Sequence, residues 1–129
     1  TSYKELYKDS VEAERANRLH PDQPARLPYV AECLRDAAGP VIAASDYVKA
    51  IPASLGRWFP HDSQVLGTDG FGRSDGRDAL RDFFEVDARH IACSAVAALA
   101  RRNELPVKTV KEAIKALDID PRRVNPALL

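Results

Sequence analysis

The 129-residue sequence lacks methionine, has only two cysteines and carries no excess charge, because 19 Lys and Arg balance 19 Asp and Glu. A neutral chain has no net field that would attract nucleic acid or an anionic membrane surface, so neither partner is expected. No apolar run approaches the length of a membrane-spanning helix, and no segment resembles a secretion leader. These absences predict a cytoplasmic protein.

The residue spacing gives little support to metal or nucleophile chemistry. Cys33 and Cys93 lie far apart and lack CxxC or Cys-His spacing, so buried free thiols in a reducing compartment are expected. His20, His61 and His90 are scattered, with no nearby second ligand or nucleophile, and we expect surface or capping histidines. We therefore predict no catalytic residue, no cofactor-binding residue and no metal ligand in this chain.

Helical patterns cover most of the sequence. Ser2 and Glu5 form the capping-box signature S-x-x-E before a helix predicted over residues 3–17. Asp87 is a candidate N-cap and Pro106 a candidate helix opener. Further helices are predicted over residues 28–34, from about residue 47 with an interruption at Pro52, and over residues 75–84, 88–102 and 107–117.

A short apolar run, residues 41–44, predicts a strand buried on both faces, as in a parallel sheet, and residues 64–67 predict a second short strand. Two strands cannot form such a sheet alone, because the outer backbone groups of each would lack partners. The simplest place for the missing strands is before Thr1. Together with the absence of methionine, this predicts a truncated α/β domain cut from a longer protein.

Residues 67–76 form a glycine-rich loop, called the glycine loop below, between the second strand and a helix. Such a loop can hold phosphate on backbone N–H groups, but its spacing is not GxGxxG, and Asp69 and Asp75 would repel phosphate. A structural turn is the favoured interpretation, in which glycines supply positive φ and Phe71 plugs a core or an interface. Arg73 would then pair with Asp75 or with an acidic partner.

Residues 65–75, V-L-G-T-D-G-F-G-R-S-D, closely resemble the carboxy-terminal region of homodimeric bacterial pyruvate dehydrogenase, and residues 84–88, F-E-V-D-A, continue the resemblance. Its shorter core, an Asp-x-Phe-Gly loop before a helix, also resembles transketolase. Matching segments in the same order extend the resemblance over the whole chain: residues 1–3, 5–6, 14–15, 19–21, 28–30, 43–47 and 124–126.

The resemblance implies a transketolase C-terminal-domain-like fold. This is a three-layer α/β/α domain whose mixed, mostly parallel sheet has about five strands. On that alignment, residues 1–129 form an incomplete domain that lacks its first strand and helix at the amino-terminal side.

The family decarboxylates pyruvate and reductively acetylates the lipoyl group of the dihydrolipoyl acetyltransferase, using thiamine diphosphate and Mg²⁺ between its first two domains. The Gly-Asp-Gly metal motif and the glutamate that activates the cofactor are absent here, so the resemblance implies no cofactor bound by this chain alone. The implied partners are the remaining domains, the second subunit of a homodimer and the lipoyl-bearing acetyltransferase. The candidate interface or packing loop comprises Asp69, Phe71, Arg73 and Asp75.

Two alternatives stay open. The chain could be the carboxy-terminal domain of another transketolase-family enzyme or 2-oxo-acid dehydrogenase, although the matches outside the glycine loop argue against transketolase itself. It could also be a free-standing α/β module that binds a small anion. Binding of thiamine diphosphate or simple phosphates to the isolated chain would favour the second alternative.

Overall fold

The computed structural model describes residues 2–129. Thr1 lies outside the described residues. The missing strands were predicted before Thr1, so that prediction also falls outside the described part of the chain. The described residues form helices around a small sheet. In chain order the elements are α1 Tyr3–Leu19, α2 Tyr29–Leu34, β1 Val41–Ala44, α3 Ala50–Ala53, the 3-10 turn Gly56–Trp58, β2 Ser63–Leu66, α4 Arg77–Phe83, α5 Ala88–Arg101, α6 Val107–Ala116 and the 3-10 turn Pro126–Leu128.

Helix α1 begins as the capping box predicts. The Ser2 hydroxyl accepts the Glu5 backbone N–H at 3.3 Å, which satisfies one of the free donors of the first turn. Near its other end, the Asn17 amide donates to the Arg26 carbonyl at 2.9 Å and accepts the Arg26 N–H at 2.7 Å. This pair of bonds closes the proline-containing connection that leads to α2.

Strands β1 and β2 are parallel, in a register that pairs Val41 with Ser63 and Ala44 with Leu66. β2 begins and ends one residue earlier than predicted. Helix α5 packs on both strands, and the Gln64 amide donates to the Ser94 hydroxyl at 3.4 Å. In the described part of the chain the strands are half-buried, and Ala44 is exposed, so the expected burial on both faces is not found.

A compact apolar core joins α1, α2 and the segment before β2. Val30, Leu55 and Trp58 are buried together, and partly buried side chains surround them. The Trp58 indole N–H donates to the Glu14 carboxylate at 2.9 Å, and the Tyr7 ring packs edge-on at 5.7 Å between centroids. The core therefore includes a buried polar contact whose donor is satisfied.

Two predicted helix starts are wrong. The Ser45 hydroxyl accepts the Tyr47 N–H at 3.1 Å in a turn rather than capping a helix, and α3 begins only at Ala50. Pro52 lies in the first turn of this short helix, where its missing N–H breaks no helical hydrogen bond. The predicted interruption of a longer helix at Pro52 is therefore not found.

Helix α4 also begins later than predicted, after Gly76, and has no side-chain cap. The Asp75 carboxylate instead accepts the N–H of the neighbouring Gly76 at 2.6 Å. Helices α5 and α6 begin where predicted, after Asp87 and Pro106, and end one residue earlier. No helix within residues 2–129 has both the length and the hydrophobicity needed to cross a membrane.

Candidate functional site

The glycine loop is tied to the segment that follows β1. Thr68 donates its backbone N–H to the Tyr47 carbonyl at 3.0 Å, and the Asp69 carboxylate accepts the Lys49 N–H at 3.0 Å. The Lys49 ammonium lies 3.9 Å from the second Asp69 oxygen. A Cβ on Gly67 would lie 2.6 Å from the Tyr47 oxygen, so only glycine allows this approach.

A second contact ties the glycine loop to the carboxy-terminal 3-10 turn. Gly70 has φ of +108°, and a Cβ there would lie 2.8 Å from the Pro126 oxygen. Among the residues that the structure describes, Gly70 is the one glycine with positive φ. The expectation of positive φ is therefore confirmed for one glycine of the loop. The loop backbone is therefore held on both sides, by residues 47–49 and by the turn Pro126–Leu128.

For the two most conspicuous side chains of the loop, one branch of each prediction is not found, and the other branches, an interface for Phe71 and an acidic partner for Arg73, stay predictions. Phe71 is 83% exposed and plugs no core among the described residues. Arg73 forms no ion pair with Asp75; its guanidinium instead stacks on the Phe83 ring at 4.0 Å. The Arg123 guanidinium lies 5.8 Å from the same ring.

Next to the loop lies an ionic network that residue spacing did not reveal. One Asp87 oxygen accepts the His90 backbone N–H at 2.9 Å and contacts His90 Nδ1 at 2.6 Å, and the other accepts Arg89 Nε at 2.8 Å. Arg89 also pairs with one oxygen of Asp82, and the other oxygen accepts an N–H of the Arg123 guanidinium at 3.0 Å. His90 is buried in the first turn of α5, where Asp87 is the cap and accepts its N–H, so the expected surface or capping position is wrong for this histidine.

The network keeps Asp87 ionised. Burial alone would raise the pKa of Asp87, but the backbone and ring of His90 and the Arg89 guanidinium outweigh it and lower the pKa to about 2. The hydrogen bond to Asp87 is the main reason that the pKa of Arg89 is raised. Both partners therefore carry full charge at neutral pH.

The one group of metal-ligand atoms found within residues 2–129 belongs to this network. Ligand atoms of Asp82, Asp87 and His90 all lie within 4.8 Å of one another. Arg89 bonds both carboxylates and Arg123 bonds Asp82, so guanidinium charges already neutralise the oxygens that Mg²⁺ would need. The arrangement fits an ion-pair network better than a magnesium site.

A groove of about 840 Å³ runs beside this network at the carboxyl end of β1. Asp46 and Asp78 line it together with Asp82 and Asp87, and Arg81 is paired with Asp46 at 3.3 Å. The four carboxylates outnumber the two guanidinium groups that also line the groove, Arg81 and Arg89, so the groove keeps a net negative charge that disfavours a diphosphate group. The described residues thus do not fit thiamine diphosphate and Mg²⁺.

The cysteines differ from the prediction in burial. Cys33 is exposed and Cys93 is partly buried, and both are free thiols. Burial raises the pKa of Cys93, which lowers its fraction of reactive thiolate.

One signal in the sequence could have indicated the ionic network. Asp87 and His90 have the N-cap and N3 spacing at which two residues bond reciprocally, and Arg89 lies between them. The Asp82–Arg123 contact spans 41 residues, from α4 to the carboxy-terminal tail. No local pattern predicts such a contact.

The chain is similar to curated relatives named pyruvate dehydrogenase E1 component. The relative from Pseudomonas aeruginosa is 48% identical over 97% of this chain, and that from Escherichia coli K12 is 45% identical over 99%. The relative from Mycolicibacterium smegmatis is 42% identical over 93% of the chain. The chain spans about one seventh of these relatives, between 13% and 14% of their length.

A family model described as the transketolase-like TK C-terminal domain matches residues 2–87, about two thirds of the chain. The matched region runs from α1 to the N-cap of α5 and includes both strands and the glycine loop. This match confirms the expected fold class and the resemblance to the family. The chain belongs to the family of transketolase-like TK C-terminal domains.

Proposed function

We propose that this chain is the carboxy-terminal domain of a pyruvate dehydrogenase E1 component and serves folding, dimer assembly and domain packing rather than chemistry. The observation that carries the proposal is 48% identity over 97% of the chain to a relative of that name. The family model ends at residue 87, whereas this similarity also covers α5, α6 and the tail. It therefore supports a more specific assignment than the family alone.

In this proposal the whole enzyme decarboxylates pyruvate and transfers the acetyl group reductively to the lipoyl group of the acetyltransferase. Thiamine diphosphate and Mg²⁺ would be held by other domains of a homodimer. The misfit between these groups and the described residues supports that division of roles. The free thiols of Cys33 and Cys93 agree with a reducing cytoplasm.

The internal pairing of charges supports a structural role. Asp82, Asp87 and His90 are bonded by Arg89, by Arg123 or by one another, so none is held ready for a substrate. Among the described residues, no buried side-chain nitrogen or oxygen lacks a hydrogen-bond partner. Satisfied networks of this kind fix the geometry of a domain.

The proposed activity is tested on the longer polypeptide that carries this chain. With thiamine diphosphate and Mg²⁺ present, release of CO₂ is measured from pyruvate and from 2-oxoglutarate with a lipoyl acceptor, and release of an aldose phosphate is measured from a ketose phosphate with an aldose acceptor. Pyruvate should have the highest kcat/KM. A preference for the ketose phosphate would support a transketolase, and a preference for 2-oxoglutarate would support another 2-oxo-acid dehydrogenase.

The assignment of roles has its own test. Titration calorimetry of the 129-residue chain with thiamine diphosphate and with inorganic phosphate should show no binding. Binding of either compound would favour the small-anion module.

Removal of residues 1–129 from the longer polypeptide should abolish the dimer, as measured by light scattering.

A further inference from the structure

We propose that the glycine loop is a rigid mount that presents Phe71 as an anchor, and that this ring inserts into an apolar pocket on another domain of the same polypeptide. The proposal rests on the proposed function, in which this chain is one domain of a longer enzyme. It deepens that function by naming the contact through which the domain docks.

The glycine loop makes contacts with the rest of the domain both before and after Phe71. Before it, Asp69 binds the Lys49 N–H at 3.0 Å, and Gly70 lies against the Pro126 carbonyl, where even a Cβ would come within 2.8 Å. After it, Arg73 stacks on the Phe83 ring at 4.0 Å. A loop held in this way loses little conformational entropy on binding, and such preorganisation favours association.

At the tip of this mount, the Phe71 ring is 83% exposed. A ring of this size gains most when it is buried, and aromatic anchors of this kind dominate the energetics of interfaces. The 3-10 turn that touches Gly70 adds Leu128, which is 79% exposed. An exposed ring on a fixed loop, next to a turn with an exposed leucine, forms an apolar surface that is preorganised for contact.

This geometry separates the candidate interface residues into two roles. Phe71 is the contact residue. Asp69 bonds Lys49 and Arg73 stacks on Phe83, whereas Asp75 bonds its neighbour in the chain, so these three residues support the loop although Arg73 and Asp75 are themselves exposed.

The size of the surface favours a docking site within the same polypeptide. A buried Phe covers about 150–250 Å². Stable association of separate molecules needs about 800 Å² per partner. A domain of the same polypeptide needs less, because covalent linkage gives it a high effective concentration. The curated relatives are about seven times as long as this chain, which covers 14% of them, so further domains are available for this contact.

Photo-crosslinking tests both the contact and the occupant. The longer polypeptide is produced with Phe71→p-benzoyl-phenylalanine, irradiated, and separated on a denaturing gel before peptide mass spectrometry. The expected product keeps the mass of a single chain and links position 71 to a peptide outside residues 1–129. The matched control is Lys108→p-benzoyl-phenylalanine on α6, where the native side chain is also 83% exposed and where we expect no crosslink.

Each other outcome overturns the proposal. If position 71 gives no more crosslink than position 108, Phe71 is not docked. A product with the mass of two chains makes a second copy the occupant. The test of pyruvate turnover on the unmodified polypeptide is independent, so failure of the anchor and failure of the proposed function can be distinguished.

Discussion

At the scale of single residues, Asp87 links several groups, because it caps α5 and bonds both Arg89 and His90. Its pKa is lowered to about 2 on folding. Asp87 therefore stabilises the folded state fully above its unfolded pKa, near 4, and this contribution fades as the pH falls towards 2.

Asp87→Asn should lower the free energy of unfolding by about 1–2 kcal/mol at pH 7, because asparagine keeps a cap but loses the charge. The difference from the parent protein should shrink as the pH falls from 4 to 2, as measured by urea denaturation at a series of pH values. Asp36→Asn is the control, because the Asp36 side chain is 93% exposed. A difference that stays constant down to pH 2 would contradict the role of the Asp87 charge.

A second residue-scale prediction compares two glutamates on α1. Glu14→Ala leaves the buried Trp58 indole N–H without its acceptor at 2.9 Å, so stability should fall by about 1–3 kcal/mol. Glu12→Ala removes only an exposed contact to Arg15 and should cost at most about 0.5 kcal/mol. Urea denaturation followed by the fluorescence of Trp58, the only tryptophan, measures both. Equal costs would show that the indole bond adds nothing.

Local rules predicted several single residues correctly. Asp87 as a cap, Ser2 with Glu5, and Pro106 before α6 were all confirmed, because each depends on neighbours within one helical turn. The stacking of Arg73 on Phe83 could not be predicted, because it depends on how the glycine loop folds back over α4. Salt-bridge patterns favoured Asp75 as the partner, whereas the ring offers Arg73 a flat contact surface.

At the scale of elements, the glycine loop depends on two glycines for different reasons. Gly67→Ala forces a Cβ to within 2.6 Å of the Tyr47 oxygen, and Gly70→Ala adds one at φ of +108°. Each substitution should lower the free energy of unfolding by about 1–3 kcal/mol, because the backbone must move or remain strained. Thermal and urea unfolding measure the loss.

Gly72→Ala is the matched control for both substitutions. It lies in the same loop, but a Cβ there would meet nothing within 4 Å. Because alanine restricts the unfolded chain, stability should stay constant or rise by about 0.4–1 kcal/mol. If all three substitutions had the same effect, the loop would not be tied down as described.

Element boundaries were predictable where caps and prolines mark them and less so elsewhere. The last three helices are followed by left-handed residues that are not glycine, namely Glu85, Asn103 and Asp118. A glycine would have marked these ends in the sequence. Because there is none, the predicted ends of α5 and α6 were one residue too late. The start of α3 was misplaced because the Ser45 hydroxyl accepts the backbone N–H of Tyr47 in a turn, as the hydroxyl of a helix cap would.

At the scale of the whole molecule, the parallel pairing of β1 and β2 followed from two predicted short strands separated by a helical segment. Their half-buried state did not follow, because burial depends on layers that lie on both faces of the sheet. Family membership accounts for the fold, and the similarity beyond residue 87 supports the more specific enzyme assignment. The exposure of Phe71 emerged only from the folded loop.

The most direct measurement compares domain docking with catalysis in the longer polypeptide carrying Phe71→Ala. Limited proteolysis measures how fast residues 1–129 are released, and pyruvate turnover is measured on the intact polypeptide. The structure predicts faster release than from the parent polypeptide, with kcat and KM for pyruvate unchanged. Unchanged release with a lower kcat or a higher KM would place this domain in the chemistry and contradict its proposed role.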